Sequence, residues 1–514
     1  MQIPGGSSGC GCACLMRRMA DISERFSSWF NGLGWPFRLL SLATLGVLAG
    51  LGQAPADAWY VTLLALAGAF WLYARQGWSF WFGWALGLGY FGFSLRWIVE
   101  PFLVDAARDG WMAPFALSFM AAGAAVFWGV AARLGRGNPW CFALFLAAAE
   151  VVRSLALTGF PWALLGHVWI DTPIAQVAAF GGPHLLTALL LAAGVGLAQF
   201  RTSPLQAGGP VLALAFLWVA LAPGPVTQSS TDLPLVRLVQ PNVPQAEKWD
   251  PILGLSHFER MLEFTAEQSD RPDLIVWPET AVTSLYEFAQ PNIDLMAEAA
   301  QGVPLVSGIQ RRAEEMIYHN ALFIVGRGGS VEGLYDKQHL VPFGEFFPGG
   351  EFAARLGLRG FASSQGFGFT AGQGPDILQI EGIGPVRPLI CYEGIFAEEI
   401  RADADRPRVM ILITNDAWFG QGAGPRQHLA QARLRAIEQG VPMVRVANTG
   451  ISAMIDAKGR IIAQMGMGES GYLDVPLPPV ANPTFYGHWG DMPFLAVLLV
   501  LCLSVLLTFR AKFD

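Results

Sequence analysis

Charge is scarce in this chain. Only 14% of its 514 residues are charged and 53% are hydrophobic, whereas an average soluble domain has about 25% charged residues. This composition excludes a disordered chain, which requires low hydrophobicity and high charge. The mean hydropathy of +0.40 also argues against a wholly soluble protein. The sequence has no basic stripe typical of nucleic-acid binders, so we expect no nucleic-acid partner.

The shortage of charge is concentrated in the first half. Residues 1–223 contain 11 Arg, no Lys and 8 acidic residues, a net charge of +3. Residues 224–514 contain the other 22 basic and 32 acidic residues, a net charge of −10, so the sum is the formal −7. We interpret the first half as a membrane domain and the second as a mostly water-soluble domain.

Disulfide and metal-binding patterns are also missing from the sequence. Six cysteines in 514 residues are too few for a disulfide framework. The seven histidines form no H-E-x-x-H motif and no C-x-x-C pair occurs, so we expect no metal and no other cofactor. Cys391 is the only cysteine in the polar half, because Cys502 lies in an apolar run at the C-terminus.

Long uncharged stretches predict a bundle of about eight membrane-spanning helices. Ten Lys or Arg residues fall on one predicted side and three on the other, which places the first side in the cytoplasm. With seven spans before it, the polar region is predicted to lie outside the cytoplasm, and both termini inside. The predicted spans are residues 39–56, 58–74, 76–95, 110–132, 138–158, 178–200, 205–223 and 492–509.

The chain therefore divides into five predicted parts. A helix lying on the membrane surface is indicated before the first span by Met16, Met19, Ile22, Phe26 and Trp29 at helical spacing. The parts are an N-terminal extension with this interfacial helix (1–37), a seven-span membrane domain (38–223), a linker (224–232), an extracytoplasmic catalytic domain (233–480), and a final span with a cytoplasmic tail (481–514).

The polar region alternates between strand and helix patterns, which predicts an α/β domain. Amphipathic stretches at His257–Gln268 and His428–Gln439 predict helices, and Asp456–Gly459 predicts a hairpin turn. The predicted strands are Leu235–Val239, Leu274–Trp277, Val303–Gly308, Ala321–Val325, Val386–Cys391, Val409–Thr414, Met443–Ala447, Ile451–Ile455 and Arg460–Gln464.

Three apolar segments end with a reactive side chain. Glu279 follows a strand closed by Pro278, Lys337 follows G-L-Y-D, and Cys391 ends a strand before a predicted helix start. Side chains at such strand ends line the ligand crevice of α/β sheets. A carboxylate could take the thiol proton, while an ammonium and the backbone N–H after Cys391 stabilise the oxyanion of an acyl-transfer intermediate.

Each of these residues also has an ordinary interpretation. Taken alone, Cys391 is typical of a small buried hydrophobic residue. Glu279 is typical of a charge at a helix start, and Lys337 of a solvated turn residue. The functional interpretation depends on the three occurring together, in this order, each at a strand end.

Four short motifs carry a family resemblance. W-P-E, Y-D-K, P-F-G-E and C-Y-E resemble the nitrilase superfamily. With the eight predicted spans and three further motifs, the chain from about residue 38 resembles the apolipoprotein N-acyltransferase family. The motifs lie at 277–279, 335–337, 342–345 and 391–393, and the further three, T-G-F-P-W, Q-P-N and N-D-A-W-F, at 158–162, 240–242 and 415–419.

The resemblance implies a nitrilase-like αββα sandwich and a role for each matched residue. Glu279 is implied as general base, Lys337 as the cation that stabilises the oxyanion, and Cys391 as the nucleophile. Three residues are implied to support the site: Glu345, Tyr392 and Glu393. Two tryptophans match substrate-contact positions, with membrane-interface anchors as an equally favoured interpretation: Trp249 and Trp418.

The implied reaction transfers an acyl chain in two steps through a Cys thioester. The donor is implied to be the sn-1 chain of phosphatidylethanolamine, and the acceptor the α-amine of diacylglyceryl-cysteine in an apolipoprotein. The resemblance places the enzyme in a bacterial inner membrane with its catalytic domain on the periplasmic side. We expect a monomer.

A Phe- and Gly-rich stretch, residues 343–369, includes Phe346 and Phe347. We predict a mobile arm that contacts lipid and gates the pocket. The alternative is that these rings pack the domain.

Glu150 and Arg153 lie three residues apart near the end of the fifth span. An ion pair that anchors T-G-F-P-W is favoured over contact with a lipid headgroup.

Two other functions are alternatives to acyl transfer. The catalytic trio alone also fits a membrane-tethered amidase that hydrolyses a small C–N substrate. The other alternative is a transporter or scaffold with an inert outer domain, but it would require polar residues within several spans.

Overall fold

The computed structural model describes most of the chain. Part of the predicted interfacial helix and the cysteines before it fall outside the described residues, as do residues 349–367 of the predicted arm. The described residues are 25, 28–30, 32–76, 79–200, 204–222, 224, 233–267, 271–314, 317–348, 368–373, 377–401 and 406–511.

Helices dominate the N-terminal half. All eight stretches predicted as spans are helical. The helices are α1 Trp35–Gly50, α2 Trp59–Gln76, α3 Phe80–Ser94, α4 Ala106–Asp109, α5 Ala113–Leu134, α6 Pro139–Leu155, α7 Ala178–Gln199, α8 Pro204–Ala220, α9 Pro251–Ala266, α10 Gln290–Ala300, α11 Ala423–Gln439, α12 Phe485–Trp489 and α13 Met492–Arg510.

Three helical segments are long and apolar enough to cross a membrane, among the residues described. They are Ala106–Leu134, Pro173–Gln199 and Met492–Arg510, and Trp35–Gly50 and Gly208–Ala220 are shorter apolar helices. The structure therefore supports a helical, membrane-compatible N-terminal half. The predicted number of eight spans exceeds the three that meet this criterion.

Glycines allow helix α3 to pack closely against two neighbours. A Cβ atom on Gly89 would meet the carbonyl oxygen of Ala43 in α1 at 1.9 Å. A Cβ atom on Gly83 would meet the carbonyl oxygen of Trp128 in α5 at 2.1 Å. Small residues at such contacts let helix backbones approach, which is how helices pack in lipid.

The connection between α6 and α7 is buried from Pro161 to Ile170 and is held by an ion pair. Arg153 Nη2 lies 2.8 Å from Glu150 Oε2, and both side chains are buried. Arg153 Nη1 also donates to the carbonyl oxygens of Phe160 (2.7 Å) and Trp162 (3.0 Å). The predicted anchoring of T-G-F-P-W by this ion pair is confirmed.

The polar half contains two mixed sheets. The first has the order β13-β1-β2-β4-β5-β6, with β3 paired to β4, and the second has the order β12-β11-β10-β9-β8-β7. The strands are β1 Leu235–Gln240, β2 Leu274–Val276, β3 Val282–Leu285, β4 Leu305–Glu314, β5 Ile317–Val325, β6 Val331–Asp336, β7 Leu378–Ile380, β8 Gly384–Ile390, β9 Val409–Thr414, β10 Met443–Ala447, β11 Ser452–Ile455, β12 Ile461–Met465 and β13 Gly471–Pro476.

Alternating side chains make these sheets the middle of a four-layer αββα sandwich. The inner faces of both sheets belong to one core, to which Val276 of β2 and Ile411 of β9 contribute. The outer face of the first sheet packs on α9 and α10, and that of the second packs on α11. Because side chains alternate along a strand, each strand contributes to both interfaces. The predicted sandwich is therefore observed.

All nine predicted strands are present, with ends that differ by a few residues. The predicted hairpin turn is confirmed by the Gly459 N–H, which donates to the Asp456 carbonyl oxygen (2.9 Å). Strands β3, β7 and β13 were not predicted, because they are short or interrupted by glycine and polar residues, and β6 was predicted only as the segment that ends at Lys337.

Helix α11 lies between the second sheet and the helical half. The indole N–H of Trp162 donates to Gln427 Oε1 (2.7 Å). The Gln427 amide in turn donates to the carbonyl oxygens of Ala54 and Ser94, each at 3.1 Å. These buried contacts fix the α/β domain on the loops at one end of the helical bundle.

Candidate active site

Three strand ends converge on one buried site, as the sequence predicts. Glu279 lies three residues beyond β2, and Lys337 follows β6 directly. Cys391 follows β8 and starts a short 3-10 turn, Cys391–Ile395, rather than the predicted α-helix. All three side chains are buried.

The backbone of Cys391 is in the left-handed region, with φ of +52°. Thr280, directly after Glu279, has φ of +48°. Non-glycine residues adopt such angles only where surrounding contacts enforce them, and they are frequent at active sites. The left-handed backbone at Cys391 therefore indicates that the fold directs this side chain to a defined position in the site.

Two hydrogen bonds orient the Glu279 carboxylate. Its Oε1 accepts from Asn320 Nδ2 (2.7 Å), and its Oε2 accepts from the Asn415 backbone N–H (2.8 Å). The Lys337 ammonium lies 3.8 Å from Oε1. A carboxylate held in this way keeps a fixed direction toward the site interior and remains able to accept a proton.

Glu345 links the Lys337 ammonium to the same network. Its Oε1 accepts from Lys337 Nζ (2.9 Å) and from Asn320 Nδ2 (3.0 Å), and its Oε2 accepts from the Val341 N–H (2.8 Å). Burial alone would lower the pKa of the Lys337 ammonium, but the two carboxylates raise it above its usual value. Lys337 is therefore a permanent cation in this site.

Glu393 connects the Lys337 loop to the Cys391 turn. Its Oε1 accepts from the Tyr335 hydroxyl (2.8 Å) and the Gln338 N–H (2.7 Å), and its Oε2 accepts from the Ile390 N–H (2.7 Å). Burial raises the pKa of Glu393, although these hydrogen bonds oppose the shift. The Glu393 side chain therefore holds the Lys337 loop and the Cys391 turn in a fixed relative position.

The thiol of Cys391 responds to both charged neighbours. Burial and the Glu279 carboxylate raise its pKa, whereas Lys337 and a hydrogen bond with Thr414 oppose the shift. The thiol is therefore protonated in the resting site. Forming the nucleophilic thiolate requires a base within the site, and Glu279 is the oriented carboxylate that interacts with it.

A second buried lysine, Lys248, was not predicted from the sequence. Lys248 Nζ donates to the Glu279 carbonyl oxygen (3.1 Å) and is almost fully buried. Burial lowers the pKa of Lys248 to about 8, although Glu279 and Cys391 raise it in part. In the sequence, Lys248 is marked only by its position directly before Trp249, which matches a substrate-contact position.

A buried cluster behind the nucleophile was also missed. His428 of α11 is within hydrogen-bonding distance of the Cys391 carbonyl oxygen through Nε2 (3.1 Å) and of Asp416 Oδ1 through Nδ1 (3.0 Å). Arg445 Nη2 donates to Asp416 Oδ2 (2.6 Å). Burial would raise the pKa of Asp416, but Arg445 and His428 lower it, so Asp416 is an anion.

The remaining predicted residues occupy different positions. Tyr392 is buried, and its hydroxyl donates to the Gly159 carbonyl oxygen of T-G-F-P-W (3.5 Å). Trp418 is partly buried against the main core, and Trp249 is 40% exposed. Among the described residues, no hydrogen bond, ion pair or ring contact joins either tryptophan to the catalytic trio, so their substrate contact remains a prediction.

A cavity of about 1240 Å³ opens beside the site, between the α/β domain and the helical half. Phe346 and Phe347 line it, together with Gln338, which follows Lys337. An isolated bridge joins Phe346 to Gly368, so both described ends of the predicted arm meet at the cavity. No group of metal-binding side chains occurs among the described residues.

The sequence is similar to known proteins over both halves. Residues 235–481 match the Carbon-nitrogen hydrolase family, and residues 45–196 match the Apolipoprotein N-acyltransferase N-terminal domain. A Caulobacter vibrioides protein named Apolipoprotein N-acyltransferase is 38% identical over 448 residues, covering 82% of this chain and 84% of that protein. A Rhodopseudomonas palustris protein of the same name is 33% identical over 539 residues, covering 96% and 99%.

Two solved structures show a weaker likeness to about half of this chain. A carbon-nitrogen hydrolase from Helicobacter pylori G27 covers 48% of this chain and 89% of its own, with 17% identity and a TM-score of 0.38. An amidase from Nesterenkonia sp. covers 50% of this chain and 93% of its own, with 20% identity and a TM-score of 0.35.

Proposed function

The chain belongs to the apolipoprotein N-acyltransferase family, and on that premise we propose that Cys391 carries an acyl chain from a membrane phospholipid to a lipoprotein. The protein is a membrane-associated N-acyltransferase with a carbon-nitrogen hydrolase domain. The observation that carries the proposal is the buried network in which Glu279 and Lys337 meet the thiol of Cys391.

The first half-reaction acylates the enzyme. Glu279 accepts the Cys391 proton, and the thiolate attacks the ester carbonyl of the donor. The Lys337 ammonium and the Tyr392 N–H stabilise the oxyanion. The C–O bond then breaks, Glu279 returns the proton to the departing alkoxide, and a lysophospholipid leaves a thioester on Cys391.

The second half-reaction forms the amide. The neutral α-amine of the acceptor's diacylglyceryl-cysteine attacks the thioester, and Glu279 accepts one of its protons. The C–S bond breaks as the amide forms, and the proton returns to the thiolate. Because the acyl chain rests on the enzyme between substrates, the kinetics are ping-pong.

The proposed membrane arrangement follows the sequence prediction. Eight helices span a bacterial inner membrane, the catalytic domain of residues 233–480 lies on the periplasmic side, and both termini are cytoplasmic. The cavity between the two halves opens toward the lipid so that both acylated substrates reach Cys391. The donor is phosphatidylethanolamine, and the enzyme acts as a monomer.

A second candidate is an amidase-type hydrolysis of a small C–N substrate, which the carbon-nitrogen hydrolase match favours. The two functions differ in what attacks the thioester. An apolar cavity slows attack by water and favours an amine carried by a lipid-anchored acceptor.

To test this proposal, purified protein in liposomes is first given a phospholipid labelled in its acyl chain. A diacylglyceryl peptide is then added as the acceptor. We expect one lysophospholipid released per labelled enzyme before the peptide is added, and label on the peptide amine afterwards. Release of free labelled fatty acid in place of labelled peptide would contradict the transferase.

Phe346 and Phe347 are proposed to gate the pocket and to contact lipid. Replacing both with Ser is expected to slow acyl transfer in liposomes. Unchanged turnover would leave these rings with a packing role only.

A further inference from the structure

The large cavity has an apolar wall and one polar end. Its apolar lining comes from both halves of the molecule and includes Leu155, Leu157, Leu164, Phe346, Phe369 and Phe396. Its polar lining includes His184, Glu398, Arg435 and Asp491, which come from four different elements. Such a cavity, mostly apolar with a few convergent polar groups, is the usual form of a ligand site.

The polar end is a connected cluster. The Asp491 N–H donates to Glu398 Oε1 (2.5 Å), and His184 Nε2 lies 3.6 Å from Asp491 Oδ2. Arg435 Nη2 donates to Glu438 Oε1 (2.6 Å) just behind the cavity wall. The contacts hold Asp491 close to Glu398, and Glu438 lies near enough to repel Asp491.

One of the three carboxylates lacks an arginine partner among the described residues. Arg435 pairs with Glu438 (2.6 Å), and Arg401 pairs with Glu398 (3.2 Å). Asp491 is 6% exposed, and within the described structure its Oδ1 atom has no hydrogen-bond partner. Leaving a buried polar atom without a partner is unfavourable, so such atoms call for an explanation.

Electrostatics of the cluster favour a cation. Burial raises the pKa of Asp491, repulsion from Glu398 and Glu438 adds to the shift, and the pKa reaches about 8. Arg435 and Arg401 each pair with a carboxylate, so an anion such as phosphate would have to compete for them and would be repelled by Asp491, whereas a primary ammonium would supply N–H donors and positive charge. Charge-assisted hydrogen bonds of that kind are the strong ones in proteins.

We propose that Asp491, together with Glu398, binds the primary ammonium group of a lipid-anchored substrate in this cavity. The inference rests on the proposed acyl transfer, in which two substrates carry such a group. One is the phosphatidylethanolamine headgroup of the donor, and the other is the N-terminal amine of the acceptor, which must leave the cluster and lose a proton before it attacks the thioester.

The position of the cluster suits either substrate. Ile395, which ends the turn that begins at Cys391, lines the cavity, and its carbonyl oxygen accepts from Arg435 Nη1 (2.5 Å). Gln338, next to Lys337, lines the same cavity. A substrate whose ammonium lies at Asp491 therefore has its acyl chains along the apolar wall, next to Gln338 and to the turn that begins at Cys391.

The donor arm of the test compares two phospholipids with identical chains. Full-length protein is mixed with liposomes of phosphatidylethanolamine or phosphatidylglycerol, which has no ammonium, and acylation of Cys391 is followed in a single turnover. If the donor headgroup is the ligand, Asp491→Asn raises the half-saturating phosphatidylethanolamine concentration about tenfold. The phosphatidylglycerol reaction stays unchanged.

The acceptor arm starts from enzyme already acylated. If the acceptor amine is the ligand, Asp491→Asn raises the half-saturating concentration of a diacylglyceryl peptide about tenfold, and the donor arm is unaffected. An Asp491→Asn protein that matches the wild type in both arms would overturn the inference. Equal slowing with both phospholipids, without a change in concentration dependence, would also overturn it.

Two further variants keep the test decisive. Glu398→Gln removes the second carboxylate without altering Asp491, and it is expected to shift the same arm in the same direction. Glu381→Gln, at an exposed ion pair with Arg327, is the matched control and is expected to leave both arms unchanged. If the wild type is not acylated by either phospholipid, the proposed function itself fails.

Discussion

Two buried charged clusters flank the nucleophile and differ in what they contact. The front cluster comprises Glu279, Asn320, Lys337 and Glu345, and its charges act on the Cys391 thiol. The rear cluster comprises Asp416, His428 and Arg445, and its hydrogen bond to Cys391 is made at the backbone carbonyl. Both contain a carboxylate and a permanent cation.

This difference indicates that the front cluster takes part in the chemistry, whereas the rear cluster positions Cys391. A proton acceptor must interact with the atom that reacts, and Glu279 of the front cluster acts on the Cys391 thiol more strongly than Asp416 of the rear cluster does. The rear cluster holds the peptide unit of a residue whose φ is +52°, a conformation that needs support of about 1–3 kcal/mol. Two clusters of similar composition therefore have different expected responses to mutation.

The largest effect is expected from Glu279→Gln, which removes the base of the front cluster and keeps its volume. We expect acylation of Cys391 to fall about 10³-fold, within the range for loss of general base catalysis. The measurement is single-turnover release of lysophospholipid. Glu263→Gln, on an exposed face of α9, serves as the control and should retain wild-type activity.

A smaller effect is expected from His428→Ala in the rear cluster. Loss of the contact to the Cys391 carbonyl lets the turn relax, and a small misplacement of a reacting group costs about 10²-fold or less. His428→Gln, whose amide can donate to the carbonyl, should recover part of the rate. The pH at which the rate is half-maximal should not move. A loss as large as that of Glu279→Gln would break the distinction between the clusters.

The smallest effect concerns pH and Lys248. Since its pKa is lowered to about 8, Lys248 loses its positive charge as the pH rises through 8, which weakens stabilisation of anions at Cys391. We expect the wild-type acylation rate to fall a few-fold above pH 8, and Lys248→Arg to abolish this fall because arginine stays protonated. Lys458→Arg, at the exposed hairpin turn, should behave as the wild type. Persistence of the fall in Lys248→Arg would assign it to another group.

The sequence predicted the residues that stand at strand ends. Glu279, Lys337 and Cys391 each follow an apolar run, and the carboxyl ends of strands β2 and β8 bring distant positions to one edge. Asn320 escaped notice because it lies inside β5, where nothing marks it apart from its neighbours. His428 was not predicted because its contacts with the Cys391 carbonyl oxygen and with Asp416 form only in the assembled fold.

The fold was predicted in the same uneven way. Strands with long apolar runs were located with their bounds, whereas β6 was predicted only as the segment G-L-Y-D that ends at Lys337, because its other positions include exposed and glycine residues. Interfaces between the halves, such as Trp162 with Gln427, join residues 265 positions apart. Contacts of that kind depend on the assembled fold and have no local signature.

The most direct test is mass spectrometry of the peptide that contains Cys391 after the protein meets phospholipid without acceptor. The account predicts a thioester-linked acyl chain on Cys391 that disappears when a diacylglyceryl peptide is added. Glu279→Gln should show far less of this modification, and His428→Ala an intermediate amount. An unmodified Cys391 in protein that still transfers acyl chains would contradict the account.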